Sequence, residues 1–143
     1  KDGDYSVALD KYQKGIRYLN EEPDFDNEPA EAKQQYDQLR VTLNSNAALM
    51  NIKLGDWKEA VKCADNALLV EGISYKDKAK VLYRRGFAQV RLKDEDEALK
   101  NLEEAIKLVP EDPAVKAELA AVKKAAAERR AKEKAAYKKF FEL

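Results

Sequence analysis

The chain has 143 residues, with 27 Lys and Arg against 27 Asp and Glu and no histidine. That length suits one domain, or one domain with a tail, and the 45% apolar share is enough for a core. Five glycines and four prolines are few for a turn-rich β fold, and without histidine there is no Ser-His-Asp or Cys-His catalysis and no His-ligated metal.

Helical periodicity dominates from the start. Tyr5, Ala8, Leu9, Tyr12, Ile16 and Leu19 recur at steps of three and four, which places them on one helix face. The stretch Glu21 to Pro29 holds two prolines and five acids without a base, the composition of a solvated loop. From Ala30 a long helix is expected to Leu54, with Tyr36, Leu39, Leu43, Ala47, Met50 and Leu54 turned inward. Gly55 suits the left-handed position that closes it, and Asp56 suits the cap of the next helix.

That next helix carries Trp57, Ala60, Val61, Ala64, Ala67 and Leu68 on one face and is expected to break at Gly72. Ser74 followed by Asp77 reads as a capping box with the shorter acid. A helix to Leu92 follows, with Ala79, Leu82, Tyr83, Gly86, Phe87 and Val90 inward. Lys93-Asp94 turns the chain into a helix bearing Ala98, Leu99, Leu102, Ala105 and Ile106. Pro110 ends it, Asp112 is a good N-cap and Pro113 a good first residue for a last helix running close to the C-terminus.

Three segments look alike: Gly3-Asp4-Tyr5-Ser6-Val7-Ala8-Leu9, Gly55-Asp56-Trp57-Lys58-Glu59-Ala60-Val61 and Lys93-Asp94-Glu95-Asp96-Glu97-Ala98-Leu99. Each reads as a turn, an acidic cap and an inward alanine. Seven residues after each alanine stands another small residue, Gly15, Ala67 or Ala105, as two closely approaching helices require. A helix-hairpin unit of about 34 residues fits the spacing if the loops supply the excess. The pattern resembles the tetratricopeptide repeat (TPR), with the third copy the best match through Leu82, Gly86, Ala98, Leu102, Ala105 and Pro110. The fold class this implies is all-α, a superhelix of three repeats with the first truncated. The units would be 1–20, 30–72 and 75–110 within a repeat region 1–113, followed by a capping and extension helix over 113–143.

Such stacks have a concave face that receives extended peptides. Lys80 and Arg84 lie four residues apart on the first helix of the third repeat, hence on one face, and are either a carboxylate site or ordinary solvated charges. TPR domains that bind the C-termini of heat-shock proteins 90 and 70 use a carboxylate clamp. The resemblance implies that Asn46, within Leu43-Asn44-Ser45-Asn46-Ala47-Ala48, and Lys80 and Arg84, within Lys80-Val81-Leu82-Tyr83-Arg84-Arg85, are its second- and third-repeat members. The two first-repeat members would precede Lys1. The ending Glu133-Lys134-Ala135-Ala136-Tyr137-Lys138-Lys139-Phe140-Phe141 is similar to that of the large immunophilins. Ile16-Arg17-Tyr18-Leu19 and Pro110-Glu111-Asp112 point to their cyclophilin-type branch rather than the FK506-binding one. In that family the isomerase is a separate N-terminal domain, so this stretch is expected to dock chaperones and not to catalyse. An FK506-binding-type immunophilin module, a heat-shock protein 70 preference and a ligand-free scaffold stay open.

From Ala114 onward bases outnumber acids. Val115, Leu119 and Val122 are expected to cap the third repeat. Beyond Ala126 the helix is alanine-rich and basic and ends in Tyr137, Phe140 and Phe141. It reads as a solvated extension, a calmodulin-type basic helix or a further chaperone contact. The lone Cys63 excludes an internal disulfide and reads as a small buried hydrophobe. No cofactor or metal is expected. Zero net charge and tyrosines at core spacing speak against nucleic acid and membrane partners. No signal pattern or membrane-length apolar run is present, so a reducing cytoplasmic setting is expected, with the nucleus open. A first helix without its hairpin partner would expose an apolar stripe, from which a homodimer is expected.

Overall fold

The computed structural model describes residues 2–21 and 29–142. These residues form helices α1 (Asp2–Glu21), α2 (Ala30–Leu54), α3 (Trp57–Leu68), α4 (Tyr75–Arg91), α5 (Glu95–Leu108) and α6 (Pro113–Phe141), with no strand among them. Most of the acidic stretch expected to be a loop, 22–28, lies outside the described residues.

Helix boundaries follow local chemistry. Gly55 closes α2 at φ 76°, and its N–H reaches the carbonyls of Asn51 and Ile52. The Asp56 carboxylate then accepts from the Glu59 N–H, Ser74 Oγ from the Asp77 N–H and Asp112 Oδ1 from the Val115 N–H, each satisfying an amide that has no partner within its helix. Pro113 occupies the first turn of α6.

Three local expectations need correction. Gly3 and Asp4 form no turn, because α1 already runs from Asp2, and Asp2 and Asp4 instead place negative charge in its first turn. Asp94 makes no side-chain cap, and Lys93 rather than a glycine takes the left-handed conformation at φ 64°. The third helix ends at Leu68, before Gly72, whose φ of 75° serves the connection instead.

Each helix packs on its neighbour in sequence. In addition α2 packs on α4 and α4 on α6, whereas the backbones of α1 and α3, and of α3 and α5, do not approach closely among the described residues. The result is an inner row of α2, α4 and α6, with α1, α3 and α5 set behind it. Small residues permit this closeness. Ala60, Ala64 and Ala67 of α3 and Ala98 and Ala105 of α5 are fully buried. Gly86 of α4 lies against Leu102 of α5.

The core runs as a chain of clusters. Ala64 and Ala67 meet Val81; Leu82 and Ala105 meet Val115; and Leu102 meets Leu119 and Val122. Burying a side chain such as Leu102 contributes roughly 1.5–3 kcal/mol. In the last cluster α6 covers an apolar edge of α4 and α5 that would otherwise face water.

The inward face of α2 also needs correction. Leu39, expected inside, is 46% exposed, while Val41, Asn44, Ser45, Ala47, Ala48 and Asn51 are buried. A helix packed on α1, α3 and α4 at once is covered on more than one face. A single stripe therefore does not describe it.

Candidate functional site

On α4, Lys76, Lys80 and Arg84 follow at steps of four, with Ala79, Tyr83 and Phe87 interleaved at the steps of three and four that keep them on the same face. This stripe forms the floor of a cleft of about 680 Å3. One wall is α2, through Leu49, Ile52 and Lys53; the other is Val109 and Asp112 in the connection from α5, with Ala114 and Val115 at the start of α6. The cleft is thus a property of the inner row, since three helices distant in sequence each supply a wall.

The lining is apolar with a positive rim. Lys53, Lys76 and Lys80 are exposed and form no ion pair among the described residues. Lys76 only hangs over the ring of Tyr75, 6.0 Å from its centre. Lys78, by contrast, faces away and pairs with Glu104 at 3.4 Å. Asp112 is the acid among the lining residues, and its carboxylate is engaged in capping α6. A pocket with unpaired cations and an apolar floor suits an acidic chain with apolar side chains.

Arg84 is the most constrained of the cations. Its Nη1 donates to the carbonyl oxygen of Ser45 at 2.7 Å and to Ser45 Oγ at 2.8 Å. Burial lowers its pKa, partly opposed by the neighbouring Tyr83. The Tyr83 phenol is pushed up by burial and by Glu118. A cation short of water gains most from an incoming anion, because solvent screens that attraction less.

Asn46 is half-buried and is not among the residues lining the cleft. It stands three residues before Leu49 on the same stripe of α2, about 4.5 Å further along the axis. Arg84 is bonded to the residue beside it. The structure therefore brings Lys80 and Arg84 together in the cleft and puts Asn46 one turn beyond its α2 wall.

Other residues shape the cleft without having been singled out. Lys76 was legible, since it continues the four-residue spacing of Lys80 and Arg84. Lys53 was not, because only the packing of α2 on α4 brings it there. Near Phe87, Arg91 stacks its guanidinium 3.4 Å from the ring centre and pairs with Glu118 at 2.7 Å. Trp57 joins that cluster, 6.4 Å from Phe87.

The tail aromatics are far from this arrangement in sequence and in packing. Ala126 is the last buried residue of α6. Beyond it Tyr137, Phe140 and Phe141 touch one another, at 4.7 and 5.3 Å between ring centres, and remain exposed. No described helix is long and apolar enough to cross a membrane.

The tetratricopeptide-repeat family matches residues 79–112, from α4 to the start of α6. Peptidyl-prolyl cis-trans isomerase D of Cryptococcus neoformans is 40% identical over 146 residues, a match that takes in 99% of this chain and 39% of that relative. The chain thus spans about two fifths of the length of that curated relative. The C-terminal TPR-containing domain of a Plasmodium falciparum FK506-binding protein superposes with a TM-score of 0.76 at 22% identity, over 90% of this chain and 81% of that one. The first TPR of Spaghetti (RPAP3), bound to the HSP90 peptide SRMEEVD, gives a TM-score of 0.56 at 18% identity, over 89% and 96%. The second TPR domain of human RPAP3, in complex with the HSP70 peptide SGPTIEEVD, gives 0.54 at 20%, over 86% and 98%. The chain has the tetratricopeptide-repeat fold, carries a match to that family at 79–112, and over 99% of its length is similar to the C-terminal part of peptidyl-prolyl cis-trans isomerase D.

Proposed function

We propose that this domain is a docking module that holds the acidic C-terminal peptide of heat-shock protein 90 in the cleft between α2, α4 and α6. The observation that carries the reading is the cleft itself, in which Lys53, Lys76, Lys80 and Arg84 surround an apolar lining of Leu49, Ile52, Phe87, Val109 and Val115. A peptide such as SRMEEVD matches that chemistry. Its carboxylates meet Lys80 and Arg84, with Asn46 donating from the adjoining turn, and its Val and Met side chains enter the apolar part. Arg supplies a planar fork and Lys a mobile point charge. A prolyl-isomerase activity belongs, on this reading, to the part of the relatives that this chain does not span.

The peptide SGPTIEEVD shares the same acidic ending, so heat-shock protein 70 is the second reading on the same cleft. Calorimetric titration of the 143-residue chain with each peptide tests both. Binding of SRMEEVD near the micromolar range is expected, since a few charge-assisted contacts of limited net worth carry it. Tighter binding of SGPTIEEVD would reassign the partner. No heat with either peptide at millimolar concentration would leave a scaffold without a peptide ligand.

A further inference from the structure

We propose that Ser45 is a positioning residue that selects which edge of Arg84 faces the cleft. The proposal rests on the docking reading above and adds to it a residue that is not itself expected to touch the peptide. Ser45 is buried at 6% exposure on α2, and Arg84 crosses to it from α4.

A guanidinium has five N–H donors in a rigid plane, two on each Nη and one on Nε. Nη1 of Arg84 spends its two on the Ser45 carbonyl oxygen, at 2.7 Å, and on Ser45 Oγ, at 2.8 Å. Nε and Nη2 have no partner among the described residues. Their N–H bonds along the remaining edge are parallel, which matches the two oxygens of a carboxylate. Two acceptors on one residue hold the plane of the fork as well as its position; a single acceptor leaves it free to pivot. Ser45 thereby turns Arg84 from a long, freely rotating cation into a preorganised one, which is where affinity is gained without a new ligand contact.

Ser45→Ala removes one acceptor and keeps the other, the main-chain oxygen. The expected result is roughly three- to tenfold weaker binding of SRMEEVD, the cost of ordering a long side chain that the wild type already holds in place. The preference for that peptide over SRMQQVN, in which each acid becomes its amide, should shrink with it. Helix content should stay as in the wild type, while the melting temperature falls by a few degrees, because the ligand-free fold loses the same bond. A merely structural loss would weaken both peptides alike and leave the preference intact. Equal SRMEEVD affinity in wild type and S45A would overturn the positioning role while the docking reading stands; a wild-type chain that binds neither acidic peptide overturns the docking reading and this role with it. Arginine side-chain NMR of the ligand-free wild type gives a check independent of any variant. Hindered rotation and slowed exchange are expected at Arg84 Nη1, and averaged Nη1 and Nη2 signals would overturn the anchor.

Discussion

Gly86 on α4 lies so close to Leu102 on α5 that a Cβ placed on it would stand 2.9 Å from Leu102 Cγ and 3.3 Å from the Ala98 carbonyl oxygen. Leu102 is fully buried, and the second obstacle is backbone, so neither can yield. Alanine would gain about 1 kcal/mol of helix propensity, but overpacking a rigid core costs about 1–3 kcal/mol. Gly86→Ala should therefore lower stability in a urea melt. For Gly15→Ala the nearest obstacle is the Leu43 side chain, at 2.9 Å from Cδ1, the far end of a flexible, half-buried side chain. That variant should be neutral or gain up to about 1 kcal/mol. Equal losses in the two would contradict the distinction drawn from their neighbours.

Lys80→Ala and Arg84→Ala should each weaken SRMEEVD binding more than tenfold, as loss of a charge-assisted contact implies. Lys53→Glu should weaken it too, by reversing a charge on the α2 wall of the cleft. In the wild type, affinity should fall as salt rises from 50 to 500 mM, because exposed lysines are screened. An affinity indifferent to salt and to all three substitutions would move the peptide elsewhere on the molecule.

Cys63 has its thiol pushed up from 9.0 to about 11 by burial and by the Glu59 charge, with the Asn51 amide pulling weakly the other way from 3.6 Å. The thiolate is the reactive form, so a disulfide reagent at pH 8 should modify the folded chain far more slowly than the urea-unfolded one. The sign of the linked stability follows. Between pH 9 and 11 the unfolded state loses this proton and the folded state keeps it, so the contribution is fully present below pH 9 and is lost as pH rises through 11. Cys63→Ala should flatten that part of a stability–pH curve.

Arg129 of α6 grips Glu95 of α5 with both oxygens engaged, at 2.7 and 2.9 Å, just beyond Ala126, where α6 leaves the body. Past that pair the helix is exposed. A chain ending at Arg130 should keep its melting temperature, whereas one ending at Ala121 loses Val122 and Ala126 and should melt lower. In hydrogen exchange, Arg129→Ala should speed amides beyond Ala126 and leave those of α4 unchanged. Protection reaching to Phe141 in the variant would show that the ion pair does not anchor the extension.

Much of this architecture was legible locally. The caps at Asp56, Ser74 and Asp112, the break at Gly55 and the expected core positions Ala60, Ala67, Ala98 and Ala105 depend on residues within a turn or two of one another, and they stand where periodicity put them. Lys80 and Arg84 could be paired from a four-residue spacing alone. The misses have a common origin. Leu39 lay on a plausible stripe, but α2 is packed by three neighbours, and a one-face pattern cannot say which other faces they cover. Lys93 adopts the left-handed conformation without the glycine that would have announced it.

Sequence by itself thus determined the helices, most of their ends and the small residues that let them stack, because those are matters of backbone sterics and side-chain spacing along one chain. Tertiary structure alone decided the use of two adjacent arginines. Arg85 turns outward to α3 and α5, donating from Nε to Asp65 Oδ1 at 2.6 Å and meeting Asn101, while Arg84 turns to Ser45 and the cleft. Successive helical residues point about 100° apart. Which direction holds the stack and which faces the cleft depends on the helices lying on either side, and that is not written in any local pattern.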